Sequence, residues 1–186
     1  MKKFHHRTIK EDLTLELVDI VSEHDEVVDT VTRAQMRKGK LAHRACYIAF
    51  CNREGRFLVE VRTLSKDFAP GKFDVCIGGV LQHGEDIEEG SKRELLEEVG
   101  IDADNDNVVF EALGKKQIFY ADKKHFLYAY LYFAKGDVIT SRQKEELSGI
   151  MYLDKEDVLS LGNNATADAL EAFSEILSRA SERNLI

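Results

Sequence analysis

The sequence predicts one mixed α/β domain, a sandwich of helices on a central mixed sheet, and three observations predict it. Its 186 residues, 44% apolar and 32% charged, suffice for one substantial core but are few for two. Stretches with the two-residue alternation of strands recur, and helix-period stretches fall between them irregularly rather than after every strand, which disfavours a doubly wound parallel sheet. A single Pro, 12 Gly and no Ser/Gly-rich tract leave no linker at which the chain would divide. Within this single domain the expected parts are a flexible N-terminus (1–12), an N-terminal hairpin with a short helix (13–39), a core (40–161) and a C-terminal helix (165–184).

The elements follow in order. Leu13 to Val21 alternates as a half-buried strand, and Glu26 to Thr32 pairs with it across the polar turn Ser22 to Asp25. Arg33 to Gly39 is a short helix. Ala45 to Phe50 and Phe57 to Arg62 flank Asn52-Arg53-Glu54-Gly55 as a second hairpin. Lys66 to Asp74 holds the Pro and reads as a loop, and the apolar run Val75 to Ile77 ends at Gly78-Gly79. Ile87 to Val99 is a helix, opened by Asp86 and Glu89 at capping-box spacing and stopped by Gly100. Val108 to Leu113, Lys115 to Ala121 and Phe126 to Ala134 are three strands, the last two joined at Asp122-Lys123-Lys124. Gly149 to Leu153 is a further strand, Asp154 caps a helix through Leu161, and Thr166 to Arg183 carries Leu170, Phe173, Ile176, Leu177 and Ala180 at helical spacing.

Composition excludes some classes of function. A net charge of -8 argues against binding nucleic acid polymers, which draws on a Lys/Arg surplus. No run approaches the ~18 apolar residues of a membrane helix, and Met1 to Lys10 is polar and basic, so the expected location is the cytoplasm, away from membranes. Cys46, Cys51 and Cys76 lie in apolar stretches as reduced thiols, Cys46 and Cys51 on opposite faces of one strand.

The chemistry lies in GGVLQHGEDIEEGSKRELLEEVGI, from Gly78 to Ile101, with seven carboxylates in the fourteen residues from Glu85 to Glu98. At about 100° per residue, Glu94, Glu97 and Glu98 share an arc of about 100° with Arg93 beside them, while Leu95, Leu96 and Val99 cover the neighbouring arc. Like charges so close repel, and a divalent cation reverses the sign. Oxygen-only ligands suit Mg²⁺, with Mn²⁺ an alternative, and such ions keep positions for water and phosphate oxygens. Gly78 and Gly79 let the backbone approach a ligand, and a main-chain carbonyl at Gly78 is a candidate metal ligand. Gly90 in mid-helix costs roughly 0.5 to 1 kcal/mol relative to Ala, and close packing of the helix on the sheet is the expected reason.

Gly79, Glu85 eight-residue-spaced from Arg93-Glu94-Leu95-Leu96-Glu97-Glu98, and Gly100-Ile101 resemble the Nudix box, with every defining position filled. The resemblance implies an αβα sandwich whose Glu94, Glu97 and Glu98 bind metal, Arg93 orienting a glutamate and Glu85 supporting from the loop. It implies hydrolysis of a diphosphate linkage in a nucleotide-like or other small molecule, with Glu94 as proton acceptor. In many members an additional acid comes from a later loop; Glu145 and Glu146 stand where it would, or else are solvated loop residues.

From about residue 14 to residue 160 the chain is also similar to the isopentenyl-diphosphate-isomerase-like branch of that family. This implies that Arg44, Arg62 and Lys66 contact substrate phosphates, a role suited to Arg forks and Lys point charges. The isomerase's protonating cysteine is absent, since Gly78 occupies its place and Cys76 lies two residues upstream. Lys124 to Tyr132 also lacks the second acid, so hydrolysis is the reading preferred to isomerisation, and a non-catalytic nucleotide sensor is the other alternative. His43 and His83 flank the site, Tyr120, Tyr128, Tyr130 and Phe133 line a base-stacking pocket or belong to the core, and the N-terminal hairpin is a candidate homodimer surface.

Overall fold

The computed structural model describes residues 16–66, 68–104 and 107–186. The expected flexible N-terminus, the part of the first strand before residue 16 and Asp67 lie outside the described residues. Leu17–Val21 (β1) and Val27–Thr32 (β2) form an antiparallel pair. Arg33–Gly39 (α1) follows, opened by a complete capping box in which Thr32 and Gln35 exchange bonds.

The main sheet contains Arg44–Cys51 (β3), Phe57–Arg62 (β4), Phe73–Asp74 (β5), Val109–Phe119 (β6), Phe126–Lys135 (β7) and Leu147–Leu153 (β8). Its order is β5-β4-β3-β7-β6, with β8 along β4. The sheet is mixed because β3 and β7 run parallel over eight residue pairs, from Arg44↔Tyr128 to Cys51↔Lys135. Helices Ile87–Val99 (α2), Lys155–Ser160 (α3) and Ala167–Glu182 (α4) cover it. Alternation along β3 divides the core: Ala45, Tyr47, Ala49 and Cys51 pack with Phe173 and Ile176 of α4, and Cys46, Ile48 and Phe50 pack with Leu95 and Val99 of α2. The three cysteines are buried free thiols.

Several expectations are revised. The second hairpin opens at once, since β3 and β4 share only Cys51↔Phe57. Beyond that pair the free edge of β3 is taken by the segment entering α2, through Ile48 N–H to Ile77 O (2.8 Å), Cys46 N–H to Gly79 O (3.0 Å) and Leu81 N–H to Arg44 O (3.0 Å). The two strands expected over Val108 to Ala121 are one, β6, interrupted by a bulge: register with β7 slips between Ala112 and Gly114, whose φ is +90°. The slip lets Leu113 stay buried while the strand continues. Asp86 caps α2 through the Glu88 and Glu89 N–H groups, but the Glu89 carboxylate faces Lys92 at 3.8 Å, leaving the capping box half made. Asp154 stands at the start of α3 without a side-chain capping bond. Leu96 points outward, 48% exposed, so only Leu95 and Val99 seat α2.

The hairpin is sewn to the core by its turn. Asp25, at φ +62°, buries its carboxylate against Arg44 Nε at 2.7 Å, with Lys115 and Tyr130 as further donors. Tyr128 donates to the Glu23 carbonyl, and His83 Nδ1 meets Asp19 at 2.6 Å. A small apolar cluster of Val18, Ile20 and Met36 then fixes α1 over one end of the sheet.

Candidate active site

The site grows from the turn before α2. Gly78 sits at φ +145°, and a Cβ there would lie 2.2 Å from the Cys46 carbonyl oxygen, so only glycine fits. Its N–H donates to Glu98 Oε2 at 3.1 Å. Among the described residues no backbone N–H bonds the Gly78 carbonyl. Gly79 lets the Glu94 carboxylate lie against the backbone, 3.0 Å from where a Cβ would stand.

Arg93 is the hub. Its guanidinium grips Glu85 with two bonds, at 2.7 and 3.0 Å, and reaches Glu94 at 2.9 Å and Glu97 at 3.0 Å. Burial opposes the Glu85 charge, but the Arg93 fork and the Gln82 N–H outweigh it and hold the carboxyl below its ordinary range. Gly90 serves this grip: a Cβ would meet the Glu85 carboxylate and Leu81 at 2.7 Å. The mid-helix glycine thus clears room for Glu85, which corrects the expectation that the sheet demands it.

Glu98, only 7% exposed, is the deepest carboxylate of the box. Burial and then the neighbouring Glu94 push its pKa well above the ordinary carboxylate range, and Glu146 adds to this. Burial raises Glu94 as well, against the pull of Arg93. Glu97 stays at the rim with its side chain 54% exposed. Of the two later glutamates, Glu146 turns inward and pairs with Lys66, whereas Glu145 is exposed.

One cavity of about 1100 Å³ includes Glu94, Glu97, Glu98, Glu146, Gly78 and Gly79 in its walls. Arg62 and Lys66 line it too, Arg62 anchored to Asp74 at 2.9 Å and to the Phe68 carbonyl. Arg44 does not: the turn of the hairpin holds it through Asp25, on the far side of β3's start. His43 and Tyr120 line the cavity; His83, Tyr128, Tyr130 and Phe133 do not.

Sequence reasoning missed three contributors. Glu60 on β4 is 2% exposed with Oε1 lacking any partner, and burial, then Glu98 and Asp74, drive its pKa well above the ordinary range. Leu58, two residues earlier, packs in the α2 core, so alternation aims Glu60 at the same helix. Arg33 of α1 lines the cavity with a buried, unpartnered Nε, and its charge lowers the acidity shift of Glu94. Asp168, on the first turn of α4, is the third. A glutamate inside the apolar run FLVEVR was the one available signal; Arg33 and Asp168 lie too far along the chain from the box to be linked to it.

Among the described residues no three carboxylates or imidazoles already converge on a point, because Arg93 and Gly78 hold the oxygens that would do so. The donor set nevertheless fits a hard divalent cation. It is all oxygen, with Glu98 buried, Glu94 largely so and Glu97 at the rim, and it is backed by the orphaned Glu60 Oε1.

A mixed sheet between helices, with a glycine turn feeding a glutamate-lined helix and an arginine hub, defines an acid-rimmed cavity. The comparisons place it more closely: residues 41–173 match the NUDIX domain family, and the chain belongs to that family, whose enzymes are hydrolases acting on pyrophosphate bonds. It is 34% identical over 171 residues to an uncharacterised Nudix hydrolase, YfcD, of Shigella flexneri, covering 92% of each chain. To an uncharacterised Nudix hydrolase of Pseudomonas aeruginosa it is 33% identical over 76% of this chain and 80% of that one. A crystal structure of DR0079 from Deinococcus radiodurans superposes with a TM-score of 0.73 at 26% identity, covering 87% of this chain and 99% of that one. The NUDIX domain of Shewanella oneidensis NrtR, complexed with ADP ribose, shares the fold at a TM-score of 0.57 and 17% identity, over 83% of this chain and 99% of that one. Among the described residues no helix is long and apolar enough to cross a membrane.

Proposed function

We propose that this chain is a Mg²⁺-dependent hydrolase, with Mn²⁺ an alternative ion, that cleaves a phosphoanhydride bond in a nucleotide-like or other diphosphate-containing small molecule. The observation that carries the reading is the placement of buried Glu98 and half-buried Glu94 in the wall of the same cavity as Arg62 and Lys66. Acids for a cation and bases for a phosphate share one space.

Glu94, Glu97 and Glu98 would hold the cation, with the Gly78 carbonyl as a further oxygen. When bound, such a cation would neutralise diphosphate oxygens and lower the pKa of a nearby water. Glu94 accepts the proton of the attacking water; its raised pKa makes it a better base than an exposed glutamate. The water oxygen bonds one phosphorus as the bridging P–O bond breaks, and phosphate or a phosphate ester leaves. Arg93 keeps Glu94 in place, Glu85 keeps Arg93 in place, and Arg62 with Lys66 face the departing phosphate. Glu146, held by Lys66, is the later-loop acid; Glu145 and Arg44 have no part in the proposal because neither lines the cavity.

The reading favours hydrolysis over isomerisation for a further reason. The Cys76 thiol is buried and turned towards α4, donating to the Ala169 carbonyl at 3.7 Å, and burial raises it well above the ordinary thiol range. A panel of nucleoside diphosphate sugars, dinucleoside polyphosphates, nucleoside triphosphates and coenzyme diphosphates, assayed for phosphate release with and without Mg²⁺, tests the proposal. Tight binding across the panel with no turnover would leave a sensor instead.

A further inference from the structure

The arginines in the cavity wall differ in how much of each guanidinium is already bonded. An arginine takes a pair of oxygens through one planar edge, Nε with Nη2. In Arg93 that edge grips the two Glu85 oxygens, and in Arg62 it closes on the Phe68 carbonyl at 3.2 and 2.8 Å. Arg33 is anchored by its other nitrogen, Nη1, which donates to Glu16 Oε2 at 2.9 Å. Its Nε is buried without a partner, and among the described residues nothing accepts from Nη2.

A buried N–H left unpaired costs about 1–3 kcal/mol, and more on a charged group. The fold keeps Arg33 there nonetheless, with its backbone N–H on the Glu16 carbonyl oxygen at 2.8 Å as well as the side-chain anchor. Glu94 does not relieve it: its Oε1 is taken by Arg93, and no ion pair joins it to Arg33. The Arg33 side chain keeps 22% of its surface open, in the wall of the cavity. Turning the empty edge towards the cavity breaks no bond of Nε or Nη2, since neither nitrogen has one.

Position decides which anion would meet that edge. Burial and then Glu94 raise Glu98, and Lys66 draws it back, which places Lys66 on the Glu98 side of the acids. Burial raises Glu94, and Arg93 and after it Arg33 draw it back, which places Arg33 on the Glu94 side. Arg37, one helical turn on, strengthens the positive field of α1: after burial, Arg33 and Arg37 both lower His43. The acids thus have cations on two sides, Arg62 and Lys66 from β4 and the loop after it, Arg33 from α1. A diphosphate has two phosphates to set between them.

We propose that Arg33 binds the phosphate that water attacks, closing its Nε–Nη2 edge on two of that phosphate's oxygens, while Arg62 and Lys66 face the other phosphate. The proposal rests on the hydrolase reading and deepens it, because it assigns the reacting phosphate an arginine from outside the segment Gly78 to Ile101. A fork of donors on those oxygens draws negative charge away from the phosphorus as the water approaches.

The test uses the full chain and methylenediphosphonate, a diphosphate whose carbon bridge water does not break, titrated at saturating Mg²⁺. Arg33→Gln is expected to weaken binding by at least about tenfold, and Arg33→Lys by about fivefold, because a point charge remains without the fork. Melting temperatures report whether each variant folds. In Arg33→Ala, methylguanidinium is expected to restore at least about fivefold of the lost affinity by refilling the vacated place, which sodium chloride at equal concentration does not do. A loss below about threefold in Arg33→Gln, or in Arg33→Lys if the glutamine variant does not fold, overturns the assignment and leaves the hydrolase reading standing. So does a loss that methylguanidinium fails to restore, which assigns Arg33 to holding Glu16 alone. Loss and rescue without turnover of any diphosphate keep Arg33 as an anion ligand and overturn the hydrolase reading. A wild-type chain that neither binds the probe nor turns over a diphosphate overturns both.

Discussion

The two ends of the cavity are built in different ways. Glu94, Glu97 and Glu98 come from one local unit, Gly78 to Glu98, in which a turn and a helix of fixed period place them, while Arg62, Lys66 and Glu146 join them from other elements. The rest of the wall takes Arg33 from α1, His43 from the segment after it, Tyr47 from β3, Tyr120 from the turn after β6 and Asp168 from α4. Local construction fixes the relative placement of these three carboxylates, and packing sets their burial. The far end depends on the docking of the N-terminal hairpin, which hangs on a buried aspartate, and so the two should fail separately.

The largest expected effect is at the acidic end. Glu98→Gln should lower turnover by at least about 100-fold while the melting temperature stays near wild type, because it removes a charge that a cation needs and relieves a buried carboxylate. Unchanged turnover would falsify the metal assignment.

Next in size is the pH dependence of cation binding. Burial and neighbouring Glu94 raise Glu98, so it holds its proton at pH values where an ordinary glutamate is ionised, and that proton must leave for a cation to bind. Affinity for Mg²⁺ should therefore rise, by about tenfold per proton released and per pH unit, as pH climbs above the usual carboxyl range, and flatten beyond the raised value. Calorimetry in buffers of different ionisation enthalpy would detect the released proton, and pH-independent binding would rule it out. Stability without metal runs the opposite way with pH. Asp74, raised by burial and by Asp168 to about 6 from 3.8, contributes most below 3.8 and loses that contribution between 3.8 and about 6.

Asp25→Ala probes the far end. It strips Arg44, Lys115 and Tyr130 of their shared acceptor, and should cost about 2 kcal/mol in chemical denaturation. KM should rise about fivefold as α1 loosens, with Mg²⁺ affinity unaltered. Equal losses in metal affinity would show that the two ends are one cooperative unit, contrary to the comparison.

The smallest effect is expected from Gly90→Ala. Alanine favours the helix by roughly 0.5 to 1 kcal/mol, but its Cβ would displace Glu85 from 2.7 Å and slacken Arg93. Turnover should fall by about threefold with little net change in stability. A more stable variant with full activity would mean that Glu85 does not need its seat on the helix.

Much of this could be read from residues alone, for a physical reason. A helix of known period fixes the relative directions of Glu94, Glu97, Glu98 and Arg93 without reference to any other element, and α2 has the expected bounds, Ile87–Val99. The hairpins, the cap at Asp86 and the seam of α4 are likewise local patterns. What periodicity cannot express is which edge meets which. The sequence contains no sign that β3 would leave β4 for β7 and for the segment 77–81, or that Leu113 would be an extra residue in a continuous strand.

Side-chain fate divides in the same way. By itself the sequence determined the acid-bearing helix, its glycine entry and its arginine, because all their contacts lie within a few turns of one another. Only the tertiary structure decided that Arg44 would serve the hairpin rather than the cavity, that Glu146 would face inward and Glu145 outward, that Arg33 and Asp168 would join the walls, and that Glu60 would be buried without a partner for Oε1. Those choices depend on burial and on partners brought from distant segments, and burial is a property of the packed molecule, not of any stretch of chain.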